Sequence, residues 1–255
     1  MELKTPKNLV NGSKRKKQAN PTNWQFAVRN ECKTLNTLIL PRRVDLKPQF
    51  PPVYNQIYNN CTSNAALAAD NYYYHKPNST WIPSTVFTYY NQRKMEGALK
   101  DPDDGSCVEI ALDAIRKYGA CNAKIWPNDK PYTQKPTKAA YEDGLKGHEI
   151  TKYYAVNNLT QVKKALASKY PVVVSVGWAF KSIDNKYLLN TPTKEEAKNC
   201  DLGHAIVIVG YNDDTQTVEI RNSWGESWGN KGYAYMTYEA FKRVCWFDDA
   251  YAIIK

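Results

Sequence analysis

Three histidines, His75, His148 and His204, are the side chains whose ordinary titration range lies near neutral pH, so a search for a general base begins with them. His75 follows three tyrosines before Lys76-Pro77 and reads as a capping or solvent-facing residue. His148, in Gly147-His-Glu149, has no nucleophile near it in sequence and reads the same way. His204 differs: it stands in Asp201-Leu-Gly-His-Ala-Ile-Val-Ile-Val-Gly-Tyr211, at the mouth of an apolar β-branched run, where a strand end holds an imidazole rigidly and can present it to a cleft. The complementary group is Cys61, which opens the Ala-rich stretch Cys-Thr-Ser-Asn-Ala-Ala-Leu-Ala-Ala-Asp-Asn-Tyr-Tyr-Tyr74. A thiol at a helix N-terminus faces unpaired backbone N–H groups and the positive end of the helix dipole, both of which favour thiolate. His204 follows Cys61 by 143 residues and Asn222 follows it by 161. A buried structural cysteine and a lone core histidine would share these local patterns, so the pair alone defines no reaction.

The elements that must position these groups follow from periodicity. The Cys61–Tyr74 stretch lacks Pro and Gly and sets Ala65, Ala68, Ala69 and Tyr72 on one face, which predicts a helix that stops at Lys76-Pro77. Further helices are expected over Pro83–Arg93, over Ser106–Tyr118 with Gly119 as terminator, and over Leu159–Ser168. Strands are expected at Pro171–Val176, Ala205–Tyr211, Thr217–Arg221, Gly232–Tyr238 and Ala250–Ile254. Helices first and strands second, with few βαβ alternations, imply an α+β protein of two subdomains separated by a cleft.

Composition narrows the class. A 255-residue chain with 42% hydrophobic residues can bury a sizeable core, which excludes wholesale disorder. The longest uncharged apolar run, Tyr170–Phe180, is far shorter than the roughly 20 residues of a bilayer-spanning helix, and no signal peptide opens the sequence. Most of the net charge of +10 sits in residues 1–47, with 11 basic and 3 acidic side chains, so the main body is close to neutral. The run Lys14-Arg15-Lys16-Lys17 reads as a solvated tail, with contact to nucleic acid or another anionic surface as the other reading. Six cysteines, Cys32, Cys61, Cys107, Cys121, Cys200 and Cys245, are too few for a disulfide-stapled scaffold, and no CxxC or CxxH spacing suggests zinc. If one is a catalytic thiol, at least one more is free, which favours a reducing compartment.

The longest motif is Ile220-Arg-Asn-Ser-Trp-Gly-Glu-Ser-Trp-Gly-Asn-Lys-Gly-Tyr233. It resembles the Asn-Ser-Trp-Gly-x-x-Trp-Gly-x-x-Gly-Tyr motif of papain-family cysteine peptidases, and Gly203-His-Ala-Ile-Val-Ile-Val-Gly-Tyr211 is similar to that family's Asn-His-Ala-Val-x-x-Val-Gly-Tyr. The spacing from Cys61 to His204 falls in the family's range of roughly 130–150, with Asn222 slightly beyond. Pro51-Pro-Val-Tyr-Asn-Gln56 before Cys-Thr-Ser-Asn-Ala65, Phe87-Thr-Tyr-Tyr-Asn-Gln-Arg93, Asp104-Gly105, Tyr118-Gly-Ala-Cys121 and Trp126-Pro127 look like the bacterial and large-virus branch. The resemblance covers about Leu40–Lys255. It implies a papain-like two-subdomain fold, with a helical left subdomain and an antiparallel β-barrel-like right subdomain around the active-site cleft, over residues 40–255.

It also implies roles. Cys61 would be the nucleophile and would form a thioester acyl-enzyme, and His204 would be its imidazolium partner and acid/base. Asn222 would fix the imidazole, and Trp224 would shield their hydrogen bond and edge the substrate cleft. Gln56 would donate to the oxyanion with the Cys61 N–H; it lies five residues before Cys61 where the family has six, so Asn55 stays an alternative. Gly105 would lie along the substrate strand, and Val176, Gly177 and Ala205 would line an apolar pocket. The implied partner is a polypeptide substrate, with no cofactor, metal, nucleic acid or membrane; a monomer is favoured. The Lys-, Asn- and Tyr-rich composition is what an AT-rich genome produces, and the lack of a visible signal or transmembrane segment favours the cytoplasm or a virus particle. The basic leader, residues 1–39, is a possible prosegment of a zymogen: Trp24, Phe26 and Val28 alternate as apolar anchors for a blocked cleft, while the Lys14–Lys17 run stays in solvent as a processing site. Two other readings are a catalytically idle papain-like binding domain and a Cys-His-Asn amidase or acyltransferase.

Overall fold

The structure is a computed structural model that describes residues 12–14, 39–146, 150 and 152–255. Arg15–Lys17, Trp24, Phe26, Val28, Cys32 and His148 lie outside the described residues.

Helix α1, Cys61–Asn71, is buried along its whole length. It carries no clear polar face, as expected of a helix enclosed on all sides. Small Ala side chains let it pack against strands on one side and helices on the other. Several of its buried polar groups are matched internally: Gln92 Nε2 donates to Thr62 Oγ1 at 3.0 Å, Asn64 Nδ2 to the Asn60 carbonyl at 2.9 Å, and Asn71 Nδ2 to Tyr54 Oη at 3.1 Å. Unpaired, each would cost about 1–3 kcal/mol.

Around α1 lie α2, Thr85–Met95, and α3, Val108–Tyr118. The Ser84 hydroxyl caps α2 by accepting from Phe87 N at 3.1 Å. No side chain of its own caps α3. Its first amides, Val108 and Glu109, instead donate to the Asp249 carboxylate at 2.9 and 3.2 Å, from the far end of the sequence. Gly119 ends α3 at φ +70°, and a Cβ there would come within 1.7 Å of the Gly144 carbonyl oxygen. That close approach admits α4, Lys138–Gly144. Helices α5, Leu159–Ala167, α6, Lys194–Lys198, and α7, Tyr238–Val244, pack on the other half.

That half is a seven-stranded antiparallel sheet. Its strands are β1, Arg43–Asp45; β2, Lys152–Ala155; β3, Val172–Gly177; β4, Gly203–Asn212; β5, Thr217–Arg221; β6, Tyr233–Thr237; and β7, Cys245–Ile254. The order is β2-β7-β3-β4-β5-β6, with β1 paired to β4 beyond the end of β3. Strand β3 is buried on both faces, which explains its unbroken run of Val172, Val173 and Val174. The β3–β4 register sets Val176 opposite His204 and Gly177 opposite Gly203. Pairing of β3 with β7 shifts between Val174 and Ser175, and the resulting bulge carries Asp249 inward to the start of α3.

Candidate active site

Cys61 stands at the first position of α1, and its thiol is fully buried. The amide of Ala205, the third residue of β4, donates to Cys61 Sγ at 3.3 Å. Helix α1 and strand β4 therefore meet at the sulfur. His204, one residue earlier in β4, is also fully buried. Its Nε2 lies 2.7 Å from Asn222 Oδ1. The Ser223 amide donates to that same oxygen at 2.7 Å, which identifies it as the carbonyl oxygen of the Asn222 side chain. An oxygen that only accepts requires a proton on Nε2, so the lone pair of the neutral ring rests on Nδ1. Nδ1 has no hydrogen-bond partner among the described residues.

Three tryptophans enclose the imidazole. The Trp224 ring lies 4.6 Å from it at 32°, Trp178 meets it edge-on at 5.0 Å, and Trp228 packs at a right angle against Trp224. This wall excludes water from the His204–Asn222 bond and presents π-faces that favour a cationic ring. Trp224 thus stands where the sequence places it. Trp178, in the apolar run after β3, has no motif to mark it.

Gln56 is buried beside the Asn222-Ser223 turn. Its amide N–H donates to the Ser223 carbonyl at 2.8 Å, its Oε1 accepts from Ser223 Oγ at 2.5 Å, and its Nε2 donates to the Tyr58 carbonyl at 3.0 Å. Asn55 is exposed and turns toward Gly225.

The cleft between the two halves holds part of the chain itself. Ser13 pairs in parallel with Ser106: the Ser106 amide donates to the Gly12 carbonyl at 3.1 Å, and the Lys14 amide donates to the Ser106 carbonyl at 2.9 Å. On the other wall the Ser13 amide donates to the Gly203 carbonyl at 3.1 Å, next to His204. A Cβ on Gly203 would lie 1.8 Å from the Ser13 carbonyl oxygen, so only glycine admits this approach. Lys14, which the sequence suggests stays in solvent, is only partly exposed. Its ammonium pairs with Asp104 at 2.6 Å, and that carboxylate also takes Arg93 Nη1 at 2.7 Å.

The substrate-wall residues distribute differently from the expectation. Gly105, at φ +84°, turns the backbone and gives its carbonyl to Arg93 Nη1 at 2.7 Å, so the residue that pairs with an extended chain is its neighbour Ser106. Ala205 contacts the thiol through its amide. Gly177 faces Trp246 and Cys200. Val176 is fully buried one residue beyond Ser175, and alternate strand residues project to opposite faces. The β3 side chain that meets the cleft occupant is therefore Ser175, which is polar where an apolar lining was expected.

Enclosure governs the charges. Burial pushes the Cys61 thiol up to about 12, against the lowering effect of the Ala205, Thr62 and Cys61 amides. Burial also draws the His204 imidazole down to about 4, against the Asn222 hydrogen bond. Removal from water thus disfavours both the thiolate and the imidazolium that the sequence suggests. Cys61, Cys107, Cys121, Cys200 and Cys245 are all free thiols. Among the described residues no group of His, Cys, Asp and Glu could hold a metal ion, and no helix is long and apolar enough to cross a membrane.

A papain family cysteine protease model matches residues 99–252, more than half of the chain. The chain belongs to that family. It is 32% identical over 197 residues to an uncharacterized peptidase C1-like protein of Acanthamoeba polyphaga mimivirus, covering 71% of this chain and 62% of that protein. It is 32% identical over 136 residues to cathepsin K of Mus musculus, covering 52% of this chain and 40% of the other. The matched region thus spans less than two thirds of these relatives. Among solved structures, xylellain, a cysteine protease from Xylella fastidiosa, superimposes with a TM-score of 0.77 at 29% identity over 96% of both chains. Procathepsin L 3 of Tenebrio molitor shares the fold, with a TM-score of 0.65 at 18% identity over 96% of this chain and 76% of that one.

Proposed function

We propose that the chain is a cysteine endopeptidase that cleaves polypeptides through a Cys61 thioester and is restrained by its own residues Gly12–Lys14. The observation that carries the reading is the protonated His204 Nε2 on Asn222 Oδ1, which leaves a basic Nδ1 in the residue next to the amide that holds the Cys61 sulfur.

In the reaction Nδ1 takes the Cys61 proton and Sγ attacks the carbonyl carbon of the scissile bond. The carbonyl oxygen becomes an anion held by the Cys61 amide, which as first residue of α1 has no intrahelical acceptor, and by Gln56 Nε2. Collapse breaks the C–N bond, and Nδ1 returns its proton to the leaving amine. A water then gives a proton to Nδ1 and its oxygen to the thioester carbon, releasing the acid and restoring the thiol. Throughout, Asn222 keeps the ring in one orientation without adding charge.

The leader acts by exclusion. Gly12 covers the sulfur, Gly12 and Lys14 take the Ser106 amide and carbonyl, Ser13 takes the Gly203 carbonyl, all groups that an extended substrate would need, and burial disfavours the charged forms of Cys61 and His204. Displacing it admits water, which lowers the cost of the thiolate–imidazolium pair.

The decisive experiment is labelling of the full chain with an epoxide or vinyl-sulfone peptide probe, followed by mapping of the modified residue. Modification at Cys61, lost in Cys61→Ala together with peptide hydrolysis, is the expected result. Hydrolysis that survives in Cys61→Ala refutes the reading.

A further inference from the structure

Behind Ser13 the cleft is polar and closed. Ser13 Oγ lies 2.5 Å from Ser175 Oγ, which lies 2.5 Å from Asp249 Oδ2. Ser13 is 4% exposed, and Ser175 and Asp249 are fully buried. Asp249 is fixed in turn: Oδ2 also accepts from the Val108 amide and Oδ1 from the Glu109 amide.

Counting protons gives this chain of oxygens a direction. An ionised carboxylate only accepts, and a hydroxyl has one proton to donate. The proton of Ser175 is therefore committed to Asp249. What Ser175 offers to the cleft is a lone pair, and the group that meets it must be a donor. Ser13 fulfils that requirement with its own hydroxyl. An apolar side chain of the same size would leave the lone pair dry and unmatched, and one carrying an acceptor alone would be repelled.

We propose that this pocket is a substrate subsite that selects a hydrogen-bond donor, first of all a serine or threonine hydroxyl, in the residue that takes the place of Ser13, and that Ser175 sets the selection. The inference rests on the peptidase reading for its substrate and on the docked leader for its geometry. A substrate strand laid between Ser106 and Gly203 places one side chain where that of Ser13 lies. The bulge in β7 is what brings the carboxylate there, so the selectivity belongs to this chain's β7 and not to the catalytic residues.

Two measurements on the full chain at pH 7.5 test it. In the first, the rate of Cys61 alkylation by iodoacetamide reports how tightly the leader is held. Ser13→Thr should match the parent, while Ser13→Val, the same shape without the donor, should react about 3- to 10-fold faster, the range of one net hydrogen bond. In a Ser175→Ala background the Thr and Val forms should react alike. In the second, peptides carry Thr, Val or O-methylserine at each position on the acyl side of the scissile bond. At one position Thr should exceed Val and O-methylserine by a similar factor in kcat/KM, and Ser175→Ala should level the three. Asp249→Asn supplies a donor to Ser175, turns its proton to the cleft and should restore O-methylserine to the level of Thr. Equal alkylation of the Thr and Val forms in the parent background overturns the proposal, as does Val equal to or better than Thr at every position. If no peptide is cleaved even by the Gly12→Val chain, in which the leader cannot dock, the peptidase reading fails, while the alkylation series still decides the polarity of the pocket.

Discussion

A Cβ placed on Gly12 would lie 2.5 Å from Cys61 Sγ and 2.8 Å from the Asn59 carbonyl oxygen. The leader covers the thiol only because that residue has no side chain. Gly12→Val should therefore be unable to dock as the parent does. Alkylation of Cys61 by iodoacetamide is expected to rise about tenfold or more in the variant, the effect of losing roughly 1.4 kcal/mol of docking. An unchanged rate would mean that Gly12 does not govern access to the sulfur.

The same displacement should change the pH dependence of that reaction. In the full chain, with the thiol pushed up to about 12 and the imidazole down to about 4 by burial, alkylation should climb with pH through 9 without a plateau. In Gly12→Val, water reaches both groups, the charged forms regain solvation, and a plateau should appear near neutral pH. Parallel profiles for the two proteins would contradict desolvation by the leader as the cause.

For the oxyanion donor, burial separates the two candidates left open by spacing. Gln56 is 2% exposed and fixed by Ser223, whereas Asn55 faces solvent near Gly225. Gln56→Ala should lower kcat by about 10²-fold with a much smaller change in KM, because its hydrogen bond strengthens as charge develops. Asn55→Ala should change kcat little. The reverse ranking would assign the role to Asn55.

Asp249 should leave a signature in stability. Burial raises its carboxyl from 3.8 to about 6, against the opposing hydrogen bonds of Ser175, Val108 and Glu109. A raised folded value means that between pH 4 and 6 the native state binds the proton and the unfolded chain has released it. Stability from this group is thus greatest below pH 4 and falls as pH rises to 6. Asp249→Asn cannot ionise, so its unfolding free energy relative to the parent should improve across that interval. A constant difference from pH 4 to 7 in urea titrations would show that Asp249 titrates normally.

The groups proposed for catalysis are readable in the sequence because each lies inside a long local pattern. Cys61 begins an uninterrupted helical stretch, His204 opens a β-branched run, and Asn222 sits in a Trp-Gly motif. Three of the four longer helices begin and end within two residues of expectation, since caps such as Ser84 and Gly119 are local signals, whereas α1 ends at Asn71, short of the expected stop at Lys76-Pro77. What was missed depends on distant partners. Strands β1 and β2 are three and four residues long and exist through pairing with β4 and β7. Helices α4, α6 and α7 are too short for periodicity to show, although the Thr193/Glu196 capping box marks α6. Asp249 reads as an ordinary acidic residue near a chain end, and its task emerges only where β7 bulges against α3. Lys14 reads as one member of a charged run because Asp104, its partner, lies 90 positions away. The adjacent Gly12-Ser13 pair was the available clue: small residues mark places where two backbones come close.

Gly12–Lys14 and Cys61 belong to one covalent chain, so the occupancy of the cleft is set by an effective concentration and not by the amount of protein in solution. For joined segments that quantity is on the order of millimolar. Dilution therefore leaves the covered state untouched, and a second molecule competes for the same groove only at concentrations approaching that value. A single peptide-bond cut anywhere between Lys14 and Ile39 changes the arithmetic: the docked residues become part of a separate fragment present only at the molar concentration of the protein itself. At nanomolar protein that is about a millionfold less. Under the restraint proposed above, the connecting stretch is thus a one-way concentration switch whose setting is stored in whether one bond is intact.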